Sequence, residues 1–133
     1  MAMDRDTTIQ TLTDYFAGRD EVVAAYLFGS VARTTSDADV GVLLRDGKPG
    51  TLEGFDPVFV IQDELESRCG GAVDVIVMNG APLDLLHRSL RDGVLVLDRD
   101  PLRRMEFELQ ARMEYLDFLP LLLRYRQSVL RSV

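Results

Sequence analysis

Along this chain, apolar residues recur every third or fourth position in some stretches and run continuously or alternate in others, and the two rhythms predict different elements. Ile9, Leu12, Tyr15 and Phe16 share one side of a helix that Asp6 or Thr7 can cap and that ends near Gly18. The next run, Val22 to Phe28, is apolar at every position, so Glu21 to Phe28 reads as a strand covered on both faces. Gly29-Ser30 breaks it. A short helical turn is expected from Ser30 to Arg33, then a second strand from Asp37 to Leu44, then a polar, Gly- and Pro-containing loop from Arg45 to Phe55. Asp56-Pro57 starts a helix whose buried side carries Val58, Ile61 and Leu65 and which Gly70-Gly71 terminates. Ala72 to Met78 forms a third strand, with Asp74, Ile76 and Met78 on one face and Val73, Val75 and Val77 on the other. Ala81-Pro82 opens a further helix, Gly93 closes it, and Val94 to Leu97 makes a short fourth strand.

From Asp100-Pro101 onward, Leu102, Met105, Leu109, Met113, Leu116 and Leu119 follow helical periodicity. Pro120 should kink this segment or split it into two helices, because proline lacks a backbone donor and clashes with the carbonyl four residues back. Leu121, Leu122, Leu123, Tyr125, Val129 and Leu130 give its end more apolar surface than one small sheet needs, so a partner or a second copy in a homodimer could cover it. At 133 residues and 47% hydrophobic, the chain suits a single α/β (α+β) domain, with residues 1–98 as the core and 99–133 as a helical extension packed on the core, on a partner, or on both.

Charge narrows the function. A formal net charge of −7 argues against a long nucleic-acid duplex as substrate, since phosphate binding draws on a basic surface, and suits a neutral or protein substrate better. Residues 1–98 hold 17 acids against 8 bases, whereas after Asp117 only Arg124, Arg126 and Arg131 remain, so the C-terminal end could meet an acidic surface or be a solvated helix face. Cys69 is the single cysteine and reads as a half-buried hydrophobe. His87 has no Cys or His companions for a transition metal. With no signal peptide and no apolar run of about 18 residues, a cytoplasmic protein without a membrane span is expected.

The chemistry lies in three aspartates. A strand places residues i and i+2 on one face, so Asp37 and Asp39 project side by side. Two carboxylates that close repel each other unless a cation lies between them, and hard Mg²⁺ prefers such oxygens together with substrate phosphates. Asp74, in an apolar strand, needs a cation or good hydrogen bonds if it is buried; a strand-edge position in water is the alternative. If its strand lies beside the Asp37 strand, the three carboxylates converge, which points to phosphoryl or nucleotidyl transfer.

The stretches Ala25 to Arg33 and Ser36 to Leu44, with Val73 to Asn79, Asp92 to Leu97 and Phe107 to Pro120, resemble minimal nucleotidyltransferases of the DNA polymerase β-like superfamily. The C-terminal extension is similar to the MntA-type antitoxins of HEPN/MNT toxin–antitoxin pairs. This resemblance implies a small mixed β-sheet flanked by helices. It also implies Mg²⁺-dependent transfer of AMP from ATP to a tyrosine of a cognate HEPN ribonuclease toxin. Under it, Asp37, Asp39 and Asp74 would be the catalytic metal ligands, Gly29 and Ser30 would bind the triphosphate, and Arg33 would neutralise phosphate charge. Two features depart from the family: the interval from Gly29-Ser30 to Asp37 is several residues shorter, and Gly41 stands where a larger apolar residue is common. The short interval leaves open a catalytically silent antitoxin that acts by occlusion, and the acidic composition leaves open a transferase for a small molecule of the aminoglycoside kind.

Overall fold

A computed structural model describes residues 4–28, 38–45 and 57–131. In chain order these form α1 (Arg5–Ala17), β1 (Val22–Phe28), β2 (Ala38–Leu44), α2 (Pro57–Cys69), β3 (Val73–Val77), α3 (Leu83–Asp92), β4 (Val94–Asp98) and α4 (Pro101–Arg131). The four strands make one mixed sheet in the order β3-β2-β1-β4, with β1 antiparallel to β2 and β4, and β2 parallel to β3. The expected small mixed sheet flanked by helices is therefore present. The predicted turn from Ser30 to Arg33 and most of the Arg45 to Phe55 loop lie outside the described residues.

Helices cover both faces of the sheet, which explains why β1 is apolar throughout. One face packs Leu12 and Phe16 of α1 and Ile61 and Leu65 of α2 against Val22, Leu27, Val40, Val42 and Val73. The other packs Leu86 of α3 and Ala111 of α4 against Tyr26, Leu43 and Met78. Each large apolar side chain buried in this way contributes about 1.5–3 kcal/mol. Cys69 joins the first cluster at its edge, and burial raises its thiol pKa, which suits a small hydrophobe rather than a nucleophile.

Local signals act as expected at some helix ends and differently at others. Asp100 caps α4 by accepting from the Arg103 N–H at 3.3 Å, and Gly70 ends α2 in the left-handed region at φ 71°. The cap of α1 is Asp4, whose carboxylate accepts from Thr7 N at 2.7 Å, and neither Asp6 nor Thr7 serves. Gly93 closes α3 at an ordinary φ of −77°, so a left-handed turn does not account for it. A Cβ there would stand 2.5 Å from the Ser89 carbonyl oxygen, and this close approach is what requires glycine. Pro120 does not split the last helix, because α4 runs unbroken from Pro101 to Arg131. Leu116, whose carbonyl loses its donor, is 63% exposed, so water can serve that carbonyl.

Ion pairs and hydrogen bonds fix α4 to the sheet. Arg104 bridges Asp98 at 3.0 Å and Glu108 at 3.2 Å, and Glu108 accepts from the Tyr26 hydroxyl at 2.7 Å. Burial, then this carboxylate, raises the Tyr26 pKa far above the ordinary phenol range, so the hydroxyl stays a protonated donor. Beyond β3, the Asn79 side chain accepts from Leu44 N at 2.8 Å and donates to Leu44 O at 2.9 Å, extending the ladder past the last paired residue.

Candidate active site

β2 carries Asp39 into the centre of the sheet, and its place there follows from the alternation of Ala38, Val40, Val42 and Leu44 into the core beneath α1 and α2. Asp39 therefore faces the side of α3 and α4. In the parallel ladder Asp39 is paired with Asp74 of β3, and in the antiparallel ladder with Phe28 of β1. Paired residues share a face, and neighbouring strands lie about 4.8 Å apart, so the two carboxylates are adjacent on one surface. The condition set for the convergence of the three carboxylates, β3 lying beside β2, is met.

Asp74 differs from the buried expectation. It is exposed on an edge strand, so no desolvation penalty demands a counter-ion. Its position opposite Asp39 is what marks it. Gly29, Ser30, Arg33 and Asp37 fall outside the described residues, and among the described ones no cluster of three metal-ligating side chains is present. The two described carboxylates nevertheless suit a hard divalent cation: both offer oxygen donors on neighbouring strands, and Asp39 borders open space.

That space is a cavity of about 330 Å³ between the sheet and α3, lined by Phe28, Asp39, Ile76, Leu85, Arg88 and Asp92 with Ser89. Its size lies at the lower end of small-ligand sites. Arg88 brings a guanidinium to the wall that holds Asp39, a contribution that sequence reasoning missed. The two residues stand 49 positions apart on different elements, and only the crossing of α3 over the sheet unites them. The motif could not reveal it, although an arginine on the polar side of a helix flanked by Leu85, Leu86 and Leu90 was a legible hint.

Gly41 sits two residues beyond Asp39 on the same face, paired regularly with Tyr26 and Ile76. A Cβ at this position would come within 2.9 Å of the Met78 Sδ and 3.0 Å of the Phe28 Cε1. The space that a larger residue would take is thus filled by Phe28, a wall of the cavity, and by Met78. Gly41→Leu is expected to cost about 1–3 kcal/mol through overpacking. A lowered midpoint of thermal unfolding is the check, and a midpoint at or above that of the wild type would show that the two neighbours reposition freely.

His87 lies on the outer part of α3 with its ring stacked on Tyr115 of α4, centroids 3.8 Å apart. It belongs to the joint between the two helices and does not line the Asp39 cavity.

A four-stranded mixed sheet with a carboxylate pair on adjacent strands and a helix-walled cavity above it defines a nucleotidyltransferase-like protein. The sequence matches the family Polymerase beta, Nucleotidyltransferase over residues 10–102, well over half of the chain, and the protein belongs to that family. No curated protein matches the sequence. Among solved structures, one similar chain comes from a tri-AMPylated Shewanella oneidensis HEPN toxin in complex with MNT antitoxin. It is 18% identical, with a TM-score of 0.69 over 97% of this chain and 98% of that one. A chain of the toxin–antitoxin MntA-HepT is 21% identical, with a TM-score of 0.63 over 97% and 95% of the respective chains. A toxin–antitoxin structure with AMP-PNP gives 21% identity and a TM-score of 0.67 over 98% of each chain. These likenesses establish that the fold extends through α4. Among the described residues no helix is long and apolar enough to cross a membrane.

Proposed function

We propose that this protein is an antitoxin that transfers AMP from ATP to a tyrosine of a cognate HEPN ribonuclease toxin in the cytoplasm, with Mg²⁺ as cofactor. The observation that carries the reading is the pairing of Asp39 with Asp74 beside a cavity that Arg88 also lines. The family membership and the AMPylated toxin in a structurally similar complex support it.

In the reaction, the phenol oxygen attacks the α-phosphorus of ATP, a new P–O bond forms, the bond to the β-phosphate oxygen breaks, and pyrophosphate leaves. Asp39 and Asp74, joined by Asp37, would hold the divalent cation, which supplies charge neutralisation at the triphosphate. Asp74, open to solvent on the edge strand, can accept the proton of an incoming phenol, whose ordinary pKa near roughly 10 makes it a poor nucleophile without such help. Gly29 and Ser30 would cradle the triphosphate, and Arg33 would add a positive charge. Arg88 would add another from the lining of the cavity, partly offsetting the acidic character of the chain. The acidic chain and the exposed edge position of Asp74 favour a protein acceptor over a long nucleic acid.

Incubation of the full chain with ATP, Mg²⁺ and the HEPN protein encoded beside it should add roughly 329 Da per AMP to that partner, read by intact-protein mass spectrometry. Arg88→Ala should lower kcat/KM for ATP about tenfold, chiefly through KM, because one charge-assisted phosphate contact is lost. An unmodified partner whose ribonuclease is still neutralised would replace the transferase reading with occlusion. A mass gain on an aminoglycoside and none on the partner would assign a small-molecule transferase.

A further inference from the structure

Five leucines of α4 stand seven residues apart: Leu102, Leu109, Leu116, Leu123 and Leu130. All are exposed, at 72%, 58%, 63%, 48% and 74%, and exposed Met105 and Met113 widen the row. A seven-residue repeat on a helix of 3.6 residues per turn drifts by only about 20° each time, so it forms one continuous seam, the pattern of a helix that packs lengthwise on another helix. At 31 residues α4 is about 46 Å long, and the seam runs along nearly all of it. The sheet does not use this seam: Ala111 is the buried residue of α4, and it projects about 160° around the helix from Leu109.

We propose that the occupant of the seam is a second copy of this chain, its α4 antiparallel to the first and the two-fold axis near Leu116. The order of residues supports this arrangement. Leu116 is the midpoint of the row, so a two-fold axis there sets Leu102 level with Leu130, Leu109 with Leu123 and Met113 with Leu119. The charges select the direction. Beyond Asp117 the helix carries only Arg124, Arg126 and Arg131, and parallel pairing would bring each arginine beside its own copy. Antiparallel pairing brings Arg126 level with exposed Glu106, twice over by symmetry.

Sedimentation velocity of the full chain from about 1 to 100 µM should show a dimer that forms with rising concentration. Leu109→Arg with Leu123→Arg should keep it monomeric over that range with unchanged far-UV circular dichroism, since both side chains are exposed. In a Cys69→Ser background, oxidation should join Leu102→Cys chains to Leu130→Cys chains, while Leu102→Cys chains alone stay unlinked. A wild type that stays monomeric throughout, including one whose seam is covered only after the toxin is added, would overturn the proposal, as would a dimer indifferent to the double arginine substitution. Self-linking of Leu102→Cys would overturn the antiparallel direction.

Discussion

Asp39→Asn is expected to reduce AMP transfer by at least about a hundredfold, because cation binding and charge neutralisation supply several kcal/mol at the transition state and each 1.36 kcal/mol is about tenfold in rate. The substitution keeps the size of the side chain and removes one of two adjacent negative charges, so far-UV circular dichroism should not change. Asp39 faces the cavity beside α3 and lies outside the apolar cluster beneath α1 and α2. Mg²⁺ should raise the thermal midpoint of the wild-type protein, since a cation that binds only the folded state stabilises it by mass action, and should raise that of Asp39→Asn much less. Asp74→Asn should behave in the same way, and it should fold normally because its position is exposed. Full transfer by Asp39→Asn would detach the chemistry from this carboxylate pair. Neutralisation of the toxin that outlasts Asp37→Ala with Asp39→Ala would show that occlusion suffices.

The largest stability effect outside the apolar core is expected at Arg99. Its Nη2 donates to Phe16 O at 2.7 Å and reaches Ala17 O and Arg19 O at 3.3 Å each, while its Nε donates to Val22 O at 3.1 Å. The end of a helix leaves carbonyls without intrahelical donors and carries partial negative charge, and one guanidinium here serves the end of α1, the turn after it and the start of β1. Its side chain is 25% exposed, so water recovers part of the loss. Arg99→Ala should therefore destabilise the protein by about 2–4 kcal/mol, read as a lower urea midpoint at unchanged slope. Arg99→Lys should recover less than half, because one ammonium cannot reproduce the planar fork. An alanine variant within about 0.5 kcal/mol of wild type would mean that water replaces the guanidinium fully.

Arg99 also illustrates what the chain conceals when read in order. It follows the short strand β4 and resembles any polar residue in a linker, yet it closes a helix that ended some 80 positions earlier. The elements themselves were legible, since helical and strand periodicities are local and the runs at Val22 to Phe28 and Val73 to Val77 are strongly patterned. The chemistry of individual breakers was less so. Gly93 answers a steric demand set by the Ser89 carbonyl, and Pro120 is accommodated where α4 is largely exposed.

By itself the sequence determined the order of helices and strands and the face of β2 from which Asp39 projects, because side-chain alternation and helical periodicity are properties of a few consecutive residues. Only the tertiary structure decided that Asp74 stands opposite Asp39, that Arg88 reaches the same cavity and that the leucine row of α4 is left bare. Strand order, register and the choice of which helix face meets the sheet are settled by packing between distant segments, and no local pattern encodes them.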